Sequence, residues 1–354
     1  MCLRHVVPFA AALLLTGFSG SARAQNTCTV EQGQIYIDEA RYKQAVKEFT
    51  CVIEMQPTEV DGYRGRIEAQ LLLGLYSDAM RDYGSVTAQV LPLHPDAVST
   101  LLAGYGARLE AEPQSVSALT GASFALWWDF QYPQATHVLN ELLTVRPDDV
   151  YANLFRGSSR LLRGATNAGV TDLENAIALA PQNPNVRWIV ADAYTYGLRD
   201  PNRAFVEATL ALNGGLDTPR VHAILGTSYL AFGNLLEAVA HIKRHIDLVT
   251  SELVSASPIL AGDSLGVLLV PGRTVEIPVP AVAGETIAIG TSSKDYWDSI
   301  AVLLAPDGTP VAGADDAKGY FAAFEWPAAQ TATYRLRVTF FEAINSGLLV
   351  VTRK

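Results

Sequence analysis

One stretch of the chain has the spacing of a catalytic serine. Gly262, Ser264 and Gly266 match the Gly-x-Ser-x-Gly pattern, in which a sharp turn exposes the serine hydroxyl as a nucleophile. That hydroxyl needs a base within hydrogen-bond reach, and in hydrolases with this pattern the base is a histidine later in the chain. The last histidine here is His245, before the serine, and the surrounding segment alternates like β-strands. We therefore interpret Ser264 as a polar turn residue and predict that the protein is not an enzyme; a hydrolase is the rival hypothesis.

Three histidines could supply a different chemistry. His241 and His245 lie four residues apart on one face of a helical segment, and His222 lies on the helical segment before it. Three imidazoles so placed could bind zinc. Because Lys243 and Arg244 stand between two of them and no carboxylate lies at ligand spacing, we interpret the histidines as hydrogen-bonding groups at the surface or between helices.

Three carboxylates near the carboxy-terminal end are candidate calcium ligands. Asp298, Asp315 and Asp316 could offer the oxygen donors that calcium prefers. Solvated loop carboxylates are the competing interpretation, and it is the one that we adopt. The sequence therefore predicts no cofactor, with calcium as the alternative.

Composition limits the classes of partner. The 354 residues exceed one ordinary domain, so we expect two. Of these residues, 49% are hydrophobic and 18% are charged, which is typical of a packed globular protein. The net charge of −10 repels phosphate backbones, so nucleic acid is not an expected partner.

The first 24 residues have the pattern of an export signal. Arg4 precedes an apolar run at 6–15, and Ala22 and Ala24 provide the small residues read by a signal peptidase. The run is about half the length of a membrane span, and no later stretch is longer, so no membrane span is predicted. We expect a protein outside the cytoplasm, secreted or periplasmic. The two cysteines after the signal, Cys28 and Cys51, would then form one disulfide, with two free thiols as the alternative.

A period of 34 residues runs through the first two thirds of the chain. Small residues recur at Ala45, Ala79 and Ala135, each followed four residues later by a bulky one on the same helix face. Prolines such as Pro57 and Pro181 follow each second helix, because proline cannot continue one. The step between Ala79 and Ala135 is 34 plus 22 residues, and the extra 22 hold one more helical stretch at 97–112.

These spacings, with the segments GLYSDAMRDY and FGNLLEAVAHI, resemble the tetratricopeptide repeat family. The resemblance implies a solenoid of helix pairs, with six repeats at 26–59, 60–93, 116–149, 150–183, 184–218 and 219–252. Gly74, Gly164 and Gly233 fall where one helix turns into its partner. We expect the extra helix to bend the superhelix. The resemblance also brings Cys28 beside Cys51, where a bridge would staple the terminal repeat.

Such solenoids bind partners on a concave face lined by first-helix side chains. By the family alignment, that face carries Arg64, Glu68, Phe124, Trp127, Trp128, Tyr151, Trp188, Asp192, Tyr196 and Arg220. Aromatic side chains with a few charges suit a protein or peptide partner. The competing interpretation is that several of these aromatic residues belong to the core.

After residue 249 the hydrophobic period becomes two, which indicates about eight short strands in a β-sandwich. The segments at 282–287, 298–308 and 333–338 resemble the bacterial pre-peptidase carboxy-terminal domain, over roughly 258–354. That family implies an accessory module for adhesion or targeting. Envelope glycan is the alternative ligand, with Trp297, Tyr320 and Trp326 as stacking platforms.

The predicted fold class is therefore an all-α repeat solenoid followed by an all-β sandwich. Its parts are a signal at 1–24, helical repeats at 25–252, a linker at 253–262 and the sandwich at 263–354. The predicted function is an exported adaptor that binds a protein or peptide on its concave face.

Overall fold

The computed structural model describes residues 28–86, 90, 96–294, 298–314, 321–341 and 347–354. The export signal predicted at 1–24 lies outside these residues, as do Trp297, Asp315, Asp316 and Tyr320. Within the described ranges the chain forms thirteen α-helices followed by nine β-strands. The fold is therefore a helical repeat solenoid with a β-sandwich after it, as the sequence predicted.

The helices pair into the six predicted repeats, and one further helix stands between the second and third repeats. In chain order they are α1 (Val30–Asp38), α2 (Tyr42–Met55), α3 (Val60–Leu72), α4 (Tyr76–Ser85), α5 (Ala97–Ala111), α6 (Val116–Trp128), α7 (Tyr132–Val145), α8 (Val150–Leu162), α9 (Thr166–Leu179), α10 (Pro184–Asp192), α11 (Pro201–Asn213), α12 (Pro219–Ala231) and α13 (Leu235–Val249). The first helices of the repeats are α1, α3, α6, α8, α10 and α12. No helix in the described ranges is long and apolar enough to cross a membrane.

The repeated small and bulky residues pack the helix pairs together. The ring of Phe49 on α2 fills the space beside Gly33 on α1 and Gly65 on α3, where an added Cβ would lie 2.6 and 2.1 Å from the ring. Ala45 and Phe49 are fully buried. The 34-residue period therefore reports the close approach of helices.

Each repeat turns from its first helix to its second through one residue with positive φ. In five repeats the N–H after that residue donates to a carbonyl five residues back, which ends the first helix in a Schellman-type cap. The six residues are Ala40, Gly74, Phe130, Gly164, Arg199 and Gly233. The sequence predicted the three glycines, and a side chain occupies the same left-handed position in the other three turns.

The fifth repeat contains one residue more than the others, and the extra residue produces a π-helical turn. The turn Ala193–Leu198 follows α10 directly, and Asp200 N–H donates to the Tyr194 carbonyl six residues back. A single inserted residue in a helix is accommodated in this way, often beside functional side chains.

The extra helix α5 reverses the chain direction between the two parts of the solenoid. Because it adds a single helix, the turn between α3 and α4 lies beside the turns that join α7 to α8 and α9 to α10. Ser77 on α4 forms a 3.0 Å hydrogen bond with Asn185 on α10. The prediction of a bend is therefore replaced by a reversal, and the intra-repeat turns of repeats one and two lie at the opposite edge from those of repeats three to six.

A buried ion pair recurs in the helical part and was missed in the sequence. Arg66 binds both carboxylate oxygens of Asp82 at 2.7 Å, and Arg156 binds both of Asp172 at 2.9 and 2.7 Å. Each pair links the two helices of one repeat across sixteen residues of sequence. The bidentate geometry satisfies both charges away from water, so the pair can replace apolar packing there.

The cysteines form the predicted disulfide. Cys28 and Cys51 are bonded with their Cα atoms 5.9 Å apart. The bond ties the residue before the N-cap of α1 to the late part of α2. The terminal repeat is therefore held closed on the side where it has no neighbour.

The strands form two packed sheets. They are β1 (Glu252–Ser255), β2 (Ser264–Leu269), β3 (Arg273–Ala281), β4 (Thr286–Ser293), β5 (Ser299–Leu304), β6 (Pro310–Ala314), β7 (Ala323–Pro327), β8 (Ala332–Phe340) and β9 (Gly347–Arg353). The first sheet has the order β1-β3-β8-β5-β6 and the second has the order β2-β9-β4-β7. Alternate residues of both sheets fill one shared core.

The predicted linker at 253–262 belongs to the sandwich. β1 pairs in parallel with β3 in the register Leu253 to Thr274, and Ile259 is 1% exposed in the sandwich core. The segment looked like a linker because its residues are small and its single edge strand is short. Its backbone nevertheless completes the first sheet, so the prediction of a linker was wrong.

The last helix of the solenoid packs directly on the first sheet. An apolar cluster joins the two parts, formed by Val239, Ile242, Ile246, Ile300, Val302 and Leu304. β5 is buried on both faces, which explains its unbroken apolar run. The polar margin of this contact includes a hydrogen bond of 2.6 Å between Thr250 and Thr274.

We expect the isosteric change Asp172→Asn to destabilise the fold by about 3 kcal/mol, because it leaves Arg156 and Arg160 without their counter-charge. Asp78→Asn, which breaks the exposed pair with Arg81, should cost less than about 1 kcal/mol. Urea unfolding followed by circular dichroism measures both. Equal losses in the two variants would contradict the buried-pair assignment.

We expect removal of the disulfide, by replacing Cys28 and Cys51 with serine, to lower stability by about 3 kcal/mol. Closing a loop of 23 residues restricts the unfolded chain, and the variant loses that restriction. Hydrogen exchange should report the loss in α1 and α2 first. A reductant should reproduce it in the parent protein and leave the double variant unchanged.

Candidate binding site on the concave face

The chain itself covers the concave face of repeats one and two. The guanidinium of Arg64 lies over Gly104 of α5, and Tyr105 donates a 3.1 Å hydrogen bond to the Arg64 carbonyl. Arg108 of α5 binds both oxygens of Glu68 at 2.6 and 2.7 Å. Burial raises the pKa of the Glu68 carboxyl, and Arg108 opposes that rise. Arg64 and Glu68 therefore face the inserted helix, and the prediction that they line an open groove was wrong.

Helix α4 covers the concave face of repeats three and four. The ring of Tyr83 lies 6.1 Å from that of Phe124, and the ring of Tyr76 lies 5.9 Å from that of Tyr151. Phe124 is completely buried, and the Tyr151 hydroxyl donates a 3.1 Å hydrogen bond to the Thr120 carbonyl. Burial raises the pKa of Tyr151 well above its ordinary value. Both residues belong to the core, which corrects their predicted groove exposure.

The tryptophans have intermediate positions. Trp188 is 6% exposed within the helical core, so its predicted exposure was also wrong. Trp127 and Trp128 are half-buried at the end of α6, and the Trp127 ring meets that of Phe155 edge-on at 5.1 Å. Their large rings fill the space between helices more readily than they line its surface.

Three of the predicted residues are brought together in repeats five and six. Arg220 donates from Nε to Asp192 Oδ1 at 2.5 Å, and its guanidinium lies 4.9 Å from the ring centre of Tyr196. The ring of Phe341 lies 5.1 Å from the guanidinium on another side. The side chains of Arg220 and Asp192 are 33% and 15% exposed, so the group is accessible at its outer edge.

Four different elements position this group. Asp192 ends α10, Tyr196 lies in the π-helical turn, Arg220 lies in the first turn of α12, and Phe341 follows β8 of the sandwich. The Phe341 N–H donates to the Asp298 carbonyl at 2.9 Å, which fixes the backbone there. Sequence reasoning missed Phe341 because no repeat pattern relates it to the solenoid.

The chemistry of this group is recognition. A guanidinium held between two aromatic rings and paired with one carboxylate offers flat apolar faces beside a fixed polar edge, as hot spots of protein interfaces do. Ser264 lies elsewhere, exposed at the start of β2 and opposite Thr352 of β9. The structure therefore gives Ser264 a strand position, and no histidine belongs to its domain.

The histidines lie between helices and at the joint with the sandwich. Nδ1 of His222 is 2.7 Å from Nδ1 of His241, and Nε2 of His222 is 2.8 Å from Asp217. His245 is buried, with Nδ1 2.9 Å from the Pro219 carbonyl and Nε2 3.2 Å from the Phe341 carbonyl. Among the described residues, no group of three histidine, cysteine or acidic side chains is arranged to hold a metal ion. Calcium binding stays a prediction, because Asp315 and Asp316 lie outside those residues.

Burial lowers the pKa of His245 to about 4, assisted by the charges of Arg220 and His222. Burial also lowers the pKa of His241 to about 4. A histidine with a lowered pKa binds fewer protons in the folded state than in the unfolded state. Its stabilisation is therefore complete above pH ~6.5 and is lost as the pH falls toward 4.

We accordingly expect the free energy of unfolding to decrease from pH 7.5 to 4.5, with His245 contributing on the order of 3 kcal/mol. His245→Gln keeps one donor and one acceptor without a titrating group, so this variant should lose part of that pH dependence. His137→Gln, at a side chain that is 76% exposed, should keep it in full. Urea midpoints at the two pH values test this, and identical slopes for all three proteins would contradict it.

No family model and no curated protein matches the sequence. Solved structures similar to the helical part are tetratricopeptide repeat proteins, and one similar to the β part is a pre-peptidase carboxy-terminal domain, in agreement with the two resemblances seen in the sequence. A tetratricopeptide repeat protein from Parabacteroides merdae is 16% identical over 63% of this chain and 92% of its own (TM-score 0.40). TTC0263 from Thermus thermophilus is 19% identical over 57% and 97% (TM-score 0.37). The pre-peptidase carboxy-terminal domain of a Bacillus anthracis collagenase is 16% identical over 28% and 96% (TM-score 0.25).

Proposed function

We propose that the protein is an exported, non-enzymatic scaffold that binds a protein or peptide segment at repeats five and six. One observation carries the proposal: Asp192, Tyr196 and Arg220 meet Phe341 of the sandwich in a partly exposed group. The concave face of repeats one to four is filled by α4 and α5. The partner site is therefore smaller than the whole concave face and is shared between the two domains.

The make-up of this group favours a peptide over a small charged ligand. The carboxylate of Asp192 already neutralises Arg220, so a bare anion or cation gains little there. A peptide can stack an apolar or planar side chain on the ring of Tyr196 and place polar backbone groups at the outer edge of the ion pair. Phe341 widens the apolar part of the site.

Export is part of the proposal. The signal pattern at 1–24 supports it, and the bond between Cys28 and Cys51 supports it further, because disulfides persist in oxidising compartments. We place the protein outside the cytoplasm, in the periplasm or secreted.

A glycan bound to the sandwich is less well supported. Trp326 lies on β7 and is half-buried against the sandwich core, so its ring is not a free stacking platform. Its indole Nε1 is buried and has no acceptor among the described residues. We therefore give the sandwich a structural share in the peptide site, and we assign no reaction to Ser264.

The test is selection of random twelve-residue peptides on the immobilised full-length protein, followed by fluorescence polarisation with the selected peptides. Tyr196→Leu should weaken binding about tenfold, equal to about 1.4 kcal/mol, because one face of the site is lost. Tyr36→Leu is the matched control, since Tyr36 makes the same ring contact with Arg41, at 4.5 Å, in repeat one.

The control should bind within twofold of the parent protein. The proposal is wrong if no peptide is selected, or if the selected peptides bind Tyr196→Leu and Tyr36→Leu with the same affinity. A selected peptide that hydrolyses on incubation would instead indicate an enzyme.

A further inference from the structure

Two turns of the solenoid carry exposed side chains at positions that favour glycine. Phe130 in repeat three and Arg199 in repeat five have φ values of 59° and 55°. Side chains are strained in this left-handed region, and glycine occupies the same position in repeats two, four and six. Phe130 is nevertheless 77% exposed, and Arg199 is also exposed. The fold needs neither side chain to make its turn.

We call the edge that holds the intra-repeat turns of repeats three to six the turn edge. Half of the exposed large apolar side chains in the described helical part, six of twelve, lie in or beside these four turns. They are Phe130, Leu162, Leu230, Phe232, Leu235 and Leu236. Such a concentration is typical of an interaction surface, because single exposed apolar residues are otherwise scattered.

Two arginines lie between the apolar ends of the turn edge. Arg163 and Arg199 are exposed in the turns of repeats four and five, and neither forms an ion pair within the described part of the chain. The nearby carboxylates are engaged: Asp200 pairs with Arg203 at 3.5 Å, and Asp129 accepts a hydrogen bond from the glutamine two residues on. In a chain of net charge −10, this edge therefore presents uncompensated positive charge.

A cleft opens on the turn edge beside Arg199. It has a volume of about 830 Å³ and lies between the start of α9 and the loop that follows the π-helical turn. Asn167, Thr171 and Asn202 contribute polar groups to its lining, and Leu198 contributes an apolar one. Its mixed lining suits a polypeptide backbone with alternating side chains.

We propose that the turn edge is a second docking surface, which binds an acidic protein segment with apolar side chains at both ends. The apolar ends contact Phe130 on one side and Phe232 on the other, and the acidic middle pairs with Arg163 and Arg199. Charge complementarity carries this choice of occupant, since an acidic segment meets the uncompensated arginines. A flat anionic bilayer fits less well, because it cannot enter the cleft and the protein as a whole is acidic.

The strained turns allow a test in which binding and folding change in opposite directions. Phe130→Gly and Arg199→Gly each remove an exposed side chain and relieve the left-handed backbone. Ala40→Gly is the matched control, because Ala40 has the same conformation in repeat one, at the opposite edge. The Tm of all three variants should equal or exceed that of the parent protein.

The probe is a fluorescein-labelled peptide with two leucines at each end and six glutamates between them, titrated into the full-length protein at low salt. We expect saturable binding that Phe130→Gly and Arg199→Gly each weaken at least fivefold and Ala40→Gly leaves within twofold. A peptide with lysines in place of the glutamates should not bind.

Three outcomes would overturn the proposal. The first is no binding of the acidic peptide, and the second is unchanged affinity in both turn-edge variants. The third is binding of phosphatidylglycerol vesicles, but not of the peptide, with the same dependence on Phe130. Because Tyr196 lies outside the turn edge, Tyr196→Leu should bind this peptide normally, which separates this surface from the concave site.

Discussion

The packing of α4 against α6 and α8 is the contact on which the helical part depends. Tyr76 and Tyr83 insert among the aromatic side chains of those helices at ring distances of about 6 Å. Each fully buried aromatic side chain contributes on the order of 2 kcal/mol, and their edge-on contacts add to this. This cluster joins the two oppositely directed parts of the solenoid. It also closes the concave face of repeats three and four, which leaves repeats five and six to meet a partner.

A second contact decides what that remaining face looks like. Because α13 is both the last solenoid helix and a cover for the first sheet, the sandwich cannot swing freely from the repeats. The ion pair of Arg337 with Asp247 and its hydrogen bond to Glu276 fix the polar side of the same contact. Phe341 is thereby held against Arg220, and the site joins residues that lie more than a hundred positions apart.

The sequence was informative where a pattern is local. The 34-residue period, the glycines of three turns and the prolines after second helices predicted the helix pairs, because each records a contact between neighbours. The burial of Phe124 and Tyr151 could not be predicted in this way. Periodicity shows which helix face is apolar, but it does not show which distant helix covers that face. The same limit hid Phe341 and the place of Ile259 in the sandwich core, since both depend on how strands pair.

A regular solenoid stores its stability in contacts between adjacent repeats, so it can fray from either end. The hydrogen bond between Ser77 and Asn185 spans 108 residues and joins repeat two to repeat five. With the aromatic cluster, it makes the middle of this solenoid a loop closed on itself. Helices α3 to α10 should therefore lose their structure in one cooperative step, and the number of repeats in that stretch cannot change by one without breaking the closure.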